Sequence, residues 1–197
     1  MGRDADEPEP GRDLERFRHY LSLLARLQVE PRLRGRVDLS GVVQQALLEA
    51  HQGRARFRGS NDAQTAAWLR KILLNNLADE LRKHGAQKRD VALERSLDAA
   101  LEESSARLEA WLVAEQSSPS QGAIRHEQAI RLAEALAELP DNQRWAVELH
   151  HLRGRSLAEI ADELQTTKAA VAGLLHRGLK ALRRRLGEDE DDQGARE

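Results

Sequence analysis

The sequence predicts an all-α fold: two helical domains joined by a flexible linker, the second ending in a helix-turn-helix. Three observations carry this. Aromatic residues make up only 3% of the chain while hydrophobic residues make up 40%, so Leu and Ala carry the apolar load, a composition that favours helices over sheets. Apolar residues recur at helical spacing along most of the chain, with no strand-like alternation and no internal repeat. A polar stretch, "EQSSPSQG" (Glu115–Gly122), interrupts the periodic segments and has the composition of a tether.

The elements follow in order. Residues 1–11 are polar and contain Pro, the composition of a disordered tail. Leu14–Leu27 repeats apolar residues at helical spacing, with Pro31 beyond its end. In Asp38–His51, Leu39, Val42, Val43, Ala46, Leu47 and Ala50 make a broad apolar face. The basic loop "GRARFRGSND" leads into Asp62–His84, the longest periodic segment, with Gly85 as the expected C-terminal cap. An amphipathic stretch spans Val91–Val113. Ala123–Leu139 and Asn142–Leu152 read as helices on either side of Pro140, the latter ending at Gly154.

Two short helices close the pattern. Leu157, Ile160, Ala161 and Leu164 share one helical face, and Ser156 with Glu159 has the spacing of a capping box. Val171, Leu175, Gly178, Leu179 and Leu182 share the face of the next helix, for which Thr167 is the N-cap. The link Gln165–Thr167 is short enough to make the helices cross, which is the helix-turn-helix arrangement. In that motif the second helix enters the major groove. Residues 187–197, "GEDEDDQGARE", read as an acidic disordered tail.

A net charge of −2 conceals a strong segregation. The segments 1–11, 12–89, 90–141, 142–186 and 187–197 carry −3, +8, −7, +5 and −5 in turn. Two basic blocks point to two places that meet a polyanion. The acidic segments give the chain two options when free: its halves tumble semi-independently, or acids of 90–141 and of the tail cover the basic faces.

Several classes drop out. The chain has no Cys, hence no disulfide or thiolate metal site. No apolar run approaches the ~20 residues of a membrane span. "MGRDADEPEPGRD" has neither an apolar signal core nor a myristoylation pattern, so a cytoplasmic location without membrane insertion is expected. His150 and His151 are adjacent and point to different helix faces, no H-E-x-x-H is present, and "GRARFRG" lacks the ending of a phosphate loop. No catalytic residue, metal or cofactor is expected, and the chain does not read as an enzyme.

The segment "LPDNQRWAVELHHLRGRSLAEIADELQTTKAAVAGLLHRGLKALRRRL" (Leu139–Leu186) resembles the C-terminal promoter-binding region of bacterial sigma factors. The resemblance rests on Leu139-Pro140, Arg144, the apolar helix Val147–Leu152, Gly154, the "S-x-x-E-I-A" run Ser156–Ala161, and Val171. In the other half, "DLSGVVQQALLEAHQGRARFRG" is similar to the sigma helix that grips the polymerase clamp and its Phe-x-Gly loop. "AWLRKILLNNLADELRK" resembles the segment that meets the −10 element, through Trp68-Leu69, Asn75, Asp79 and Arg82. With both halves in the family's order, the chain is identified as a sigma factor of the extracytoplasmic-function type.

The resemblance implies three jobs. Asp38, Gln44, Gln45 and Leu48 would meet core RNA polymerase. Asn75, Asp79, Arg82, Lys83, Lys88 and Arg89 would hold DNA at the −10 element, by backbone capture and a base pocket, since Phe57 and Trp68 are the only aromatics nearby. Thr167, Lys168, Ala169, Ala172, His176, Arg177 and Lys180 would face the −35 duplex of promoter DNA. An anti-sigma factor or another restraining protein is a further partner of the family. Two departures stand out: Gly41 sits where relatives more often carry an acid, and Ala172 and Leu174 where they are commonly basic. The rival reading is a stand-alone helix-turn-helix regulator that binds DNA without polymerase.

The implied domains are then residues 12–90 for polymerase and the −10 element, an acidic helical segment and linker over 91–122, and 123–186 for the −35 element.

Overall fold

A computed structural model describes residues 12–29, 36–83, 91–115 and 122–194. The described residues are helical, with no strand among them. The elements are α1 (Arg12–Glu15), α2 (Arg18–Gln28), α3 (Leu39–Gly53), α4 (Asp62–Lys83), α5 (Val91–Glu115), α6 (Gly122–Ala137), α7 (Asp141–Val147), α8 (Leu157–Glu163) and α9 (Lys168–Gly194). Lys88, Arg89, the Gly85 cap and the linker residues 116–121 lie outside the described residues.

The helix expected over Leu14–Leu27 divides at Arg16-Phe17. Both Leu14 and Phe17 are buried, and the Phe17 amide donates to the Leu14 carbonyl at 3.1 Å, so the chain turns tightly to bring both side chains inward. The Asp38 carboxylate accepts from the Gly41 amide at 2.9 Å and starts α3; Asn61 does the same for α4 from the Gln64 amide at 2.9 Å. Past Val147 the chain continues as a π-helical turn over Glu148–Leu152 and then reverses at Gly154, whose φ of +65° is one that Gly adopts without cost.

Helix α2 is the hub. Tyr20, Leu21, Leu23, Leu24, Ala25 and Leu27 are all buried, and the helix packs against α3, α4, α5 and α6. A helix apolar on so much of its surface needs neighbours on several sides. Helix α5 lies along the N-terminal group through Leu97, Leu101 and Leu108 and through polar contacts. Tyr20 Oη and Ser105 Oγ are 2.9 Å apart, and Arg70 donates to Tyr20 Oη at 3.1 Å and to Glu102 at 3.1 Å.

Among the described residues the two groups of helices pack on one another through one contiguous core. The physical reason is size: a unit of roughly 60 residues buries only about 60% of its unfolded surface. Helix α6 completes its burial against α2 and α4, with Ala129, Ile130, Leu132, Ala133, Ala135 and Leu136 inside.

Among the described residues, several acids of 90–141 pair with cations outside the expected DNA-facing sets. Glu102 pairs with Arg70, Glu103 with Arg107, Glu109 with His126, Asp141 with Arg144 and Glu138 with Arg185. None of these cations belongs to a DNA-facing set expected from the sequence. The backbone of α9 runs on to Gly194, into the stretch expected to be a disordered tail. Among the described residues no helix is long and apolar enough to cross a membrane.

Candidate nucleic-acid interface

The C-terminal face is assembled by local rules. Ser156 Oγ accepts from the Glu159 amide at 3.3 Å while Glu159 Oε2 accepts from the Ser156 amide at 2.8 Å, a complete capping box that starts α8. These bonds, first from the Ser156 backbone, then from its hydroxyl and from Arg155, pull the Glu159 carboxyl down to about 2. The turn into α9 passes through Gln165 at φ 51°, an uncommon conformation for a residue with a side chain. It is held by the Thr166 amide donating to the Ala161 carbonyl at 2.8 Å. Thr167 Oγ1 accepts from the Ala170 amide at 3.1 Å and caps α9.

Helix α9 then buries Val171, Leu175, Gly178 and Leu182. At Gly178 α9 passes close against α7: a Cβ there would sit 2.9 Å from Val147 Cγ2. The opposite face carries Lys168, Ala169, Ala172, His176, Arg177 and Lys180, every one exposed, together with the exposed cap Thr167. At ~100° per residue, Arg183 and Arg184 continue that face and are exposed as well. The sequence reading stopped at Lys180; the "LRRRL" run was the signal that extends it. Arg185, by contrast, turns back to pair with Glu138.

The second face is on α4. Asn75 and Asp79 are exposed and Arg82 half-buried along one stripe, and exposed Lys71, one turn earlier, lies on the same stripe. Arg82 pairs with Asp79 and Lys83 with Glu80, the latter at 2.8 Å. Phe57 and Trp68 stack on each other, with ring centroids 4.3 Å apart and an angle of 11°, and the Arg54 guanidinium lies 5.7 Å from the Phe57 centroid. The Phe57 ring occupies the space a side chain at Gly59 would need, which accounts for the Phe-x-Gly loop. These aromatic faces are turned on each other.

The third face is on α3, where Asp38, Gln44, Gln45 and Leu48 are exposed together. Leu48 is 51% exposed, the one large hydrophobic side chain so exposed among the described residues. Gln45 donates to Glu49 at 2.9 Å. At Gly41 the capping carboxylate of Asp38 fills the space in which a Cβ would stand, so a side chain there would displace the cap. The negative charge is present one turn earlier, on Asp38.

The family model "Sigma-70, region 4" matches residues 129–182, the span from α6 through most of α9. The "ECF RNA polymerase sigma factor SigM" of two Mycobacterium tuberculosis strains is 31% identical over 150 residues, 76% of this chain and 65% of the relative. Over these spans the chain is similar to extracytoplasmic-function sigma factors. It spans a little under two thirds of the length of the curated relatives it matches.

The matched span contains α8, its capping box, the Thr167 cap and the first half of α9. Among the described residues no group of His, Asp or Glu side chains is placed to hold a metal ion. The sequence reading missed Arg26, Glu148 and Arg153. Glu148 is buried inside the π turn at 1% exposure, and its partner lies 122 positions away on α2.

Proposed function

We propose that this chain selects promoters for a bacterial RNA polymerase, reading the −35 duplex with α9, holding −10 DNA with α4, and docking on core enzyme with α3. The observation that carries the reading is the outward face of α9. It presents Lys168, Arg177 and Lys180 with no acidic partner among the described residues, on a helix whose start is fixed by Thr167 and by the capping box of α8. Arg177 and Lys180 are placed to meet phosphates and so to fix register, while Lys168 at the N-terminal end is placed to meet a base edge.

On α4 the mechanism is different. Single-strand capture needs cations that track phosphates and a face for an extruded base. Lys71 supplies a cation and Asn75 an amide, while Arg82 must exchange Asp79 for DNA. The Phe57 and Trp68 rings are stacked on each other, which favours backbone capture over an aromatic wedge. On α3, Leu48 flanked by Gln44 and Gln45 gives a small apolar centre with a polar rim, the anatomy of a protein contact.

Purification with core polymerase, followed by a duplex-binding assay of the chain alone, tests this reading. The sigma reading expects stable association with core enzyme and promoter protection only in its presence. A chain that binds duplex sites tightly alone and never associates with polymerase is a stand-alone regulator, and the reading fails.

A further inference from the structure

The seam between the two groups of helices contains a reciprocal pair of charged contacts on none of the three working faces. Arg26 of α2 donates through Nη2 to Glu148 Oε1 at 2.7 Å and through Nε to the same oxygen at 3.1 Å. Glu148 is almost wholly buried in the π turn, and Arg144 of its own group comes no closer than 4.0 Å. Arg153, at the end of that turn, reaches back. Its Nη2 lies 3.0 Å from the Arg26 carbonyl, 2.5 Å from that of Leu27 and 2.9 Å from that of Val29.

Each half thus supplies what the other lacks. The last carbonyls of a helix have no partner within it, and a cation is favoured there by the helix dipole. Arg153 of the C-terminal group fills that role for α2. In return α2 supplies the cation that a buried carboxylate requires.

The closed body also conflicts with promoter engagement. A compact chain of this length has a radius of gyration of ~16 Å and is roughly 40 Å across. Elements named for positions −35 and −10 lie about 25 base pairs apart, roughly 85 Å along the duplex. The halves must part before both elements are held.

We propose that Arg26, Glu148 and Arg153 form a latch that, together with the apolar contacts of α6 on α2 and α4, keeps the free chain closed and lets go when polymerase draws the halves apart. The release step rests on the polymerase reading above; the latch itself does not. A buried ion pair adds little net stability, because desolvation offsets the attraction, but it demands exact geometry. Such a contact makes closure specific yet reversible, since opening returns both charges to water. A buried pair is also screened far less by salt than exposed charges are.

The test uses the full chain, which has no native Cys, labelled through Ala55→Cys and Asp162→Cys, an exposed position in each half. Energy transfer between two dyes reports closure, with circular dichroism as the control for folding. The latch expects high transfer in the unmodified sequence, unchanged between 0.1 and about 0.5 M salt. It expects a clear loss in Arg26→Glu and recovery when Glu148→Arg is added. Transfer that stays high in Arg26→Glu overturns the latch, and so does a loss that the swap leaves unrepaired. Should Arg26→Glu lose helicity, Arg153→Gln takes its place: lower transfer with intact helicity supports the latch, and unchanged transfer overturns it. Core polymerase is then added to the unmodified sequence. Transfer that falls on binding supports release, and transfer that stays high in the bound chain overturns it. Absence of any binding contradicts the polymerase reading and leaves the result on the latch standing.

Discussion

Helices α4 and α9 both carry a stripe of polar and basic side chains, yet their charges are spent differently. On α4, Arg82 is paired with Asp79 and Lys83 with Glu80, so both cations are neutralised within their own helix. On α9, Lys168, Arg177 and Lys180 have no acid beside them among the described residues, and Glu102, Glu103 and Glu109 of α5 pair elsewhere. The difference separates two ways of meeting DNA. An unpaired basic face binds a duplex through counterion release, strongly and with steep salt dependence. A self-paired stripe gains little from a phosphate unless it gives up an internal contact of comparable worth. On the proposed function, the α9 face is primed before DNA arrives, whereas the α4 stripe engages when a strand is already offered to it.

The strongest way to break this comparison is to remove the unpaired charge. Arg177→Ala with Lys180→Ala is expected to lower the salt slope of promoter binding by roughly two units, a loss of roughly 50-fold near 0.1 M salt. Binding of polymerase loaded with each variant, titrated across salt, measures it; an unaltered slope assigns those two side chains away from phosphate. Lys168→Ala is expected to cost about 1–3 kcal/mol at promoters with the preferred base and much less at others. A uniform loss across promoters makes Lys168 another phosphate contact.

The α4 stripe is tested in the opposite direction. Asp79→Ala frees Arg82, so binding to a −10 single strand should strengthen by roughly fivefold near 0.1 M salt, with about 0.7 added to the slope. Weaker binding in this variant makes Asp79 itself a contact to the DNA. The smallest effect is a pH dependence in the scaffold of α9. Glu159 has its carboxyl held at about 2 by Ser156 and Arg155, below its unfolded value near 4.5. Its contribution to stability is present above that unfolded value and is lost as pH falls through about 2. Thermal melts from pH 5 downward should show Glu159→Gln less stable at pH 5, with the gap narrowing towards pH 2. A gap that does not narrow removes the charged cap from the account.

Legibility in the sequence follows the range of the interaction. Ser156 with Glu159 and Thr167 with Ala170 act over three residues, and these two caps form as read from the sequence. The exposure of all the expected α9 residues follows from the same helical period. Gln165 at positive φ was not legible, because nothing in its chemistry marks that conformation; Gly154, which does carry the mark, was read as a break. Gly178 was read only as part of an apolar face, since the approach of Val147 is a tertiary fact. The seam was hidden for the same reason. Arg26 reads as one polar position in a Leu-rich helix and Glu148 as one acid in an apolar run, and only folding places them 2.7 Å apart. The "EQSSPSQG" tether suggested independence of the halves, but composition says nothing of the core that α2 and α6 share.

The central claim is that this chain gives core polymerase a choice of promoter, and mapping the 5′ ends of transcripts measures that choice. Core enzyme is supplied with genomic DNA, with and without the purified chain, and with the Lys168→Ala variant. The account predicts a discrete set of new starts that depend on the chain and share an upstream sequence element, with the variant losing those starts in proportion to one position of that element. Starts that are the same with and without the chain would contradict it.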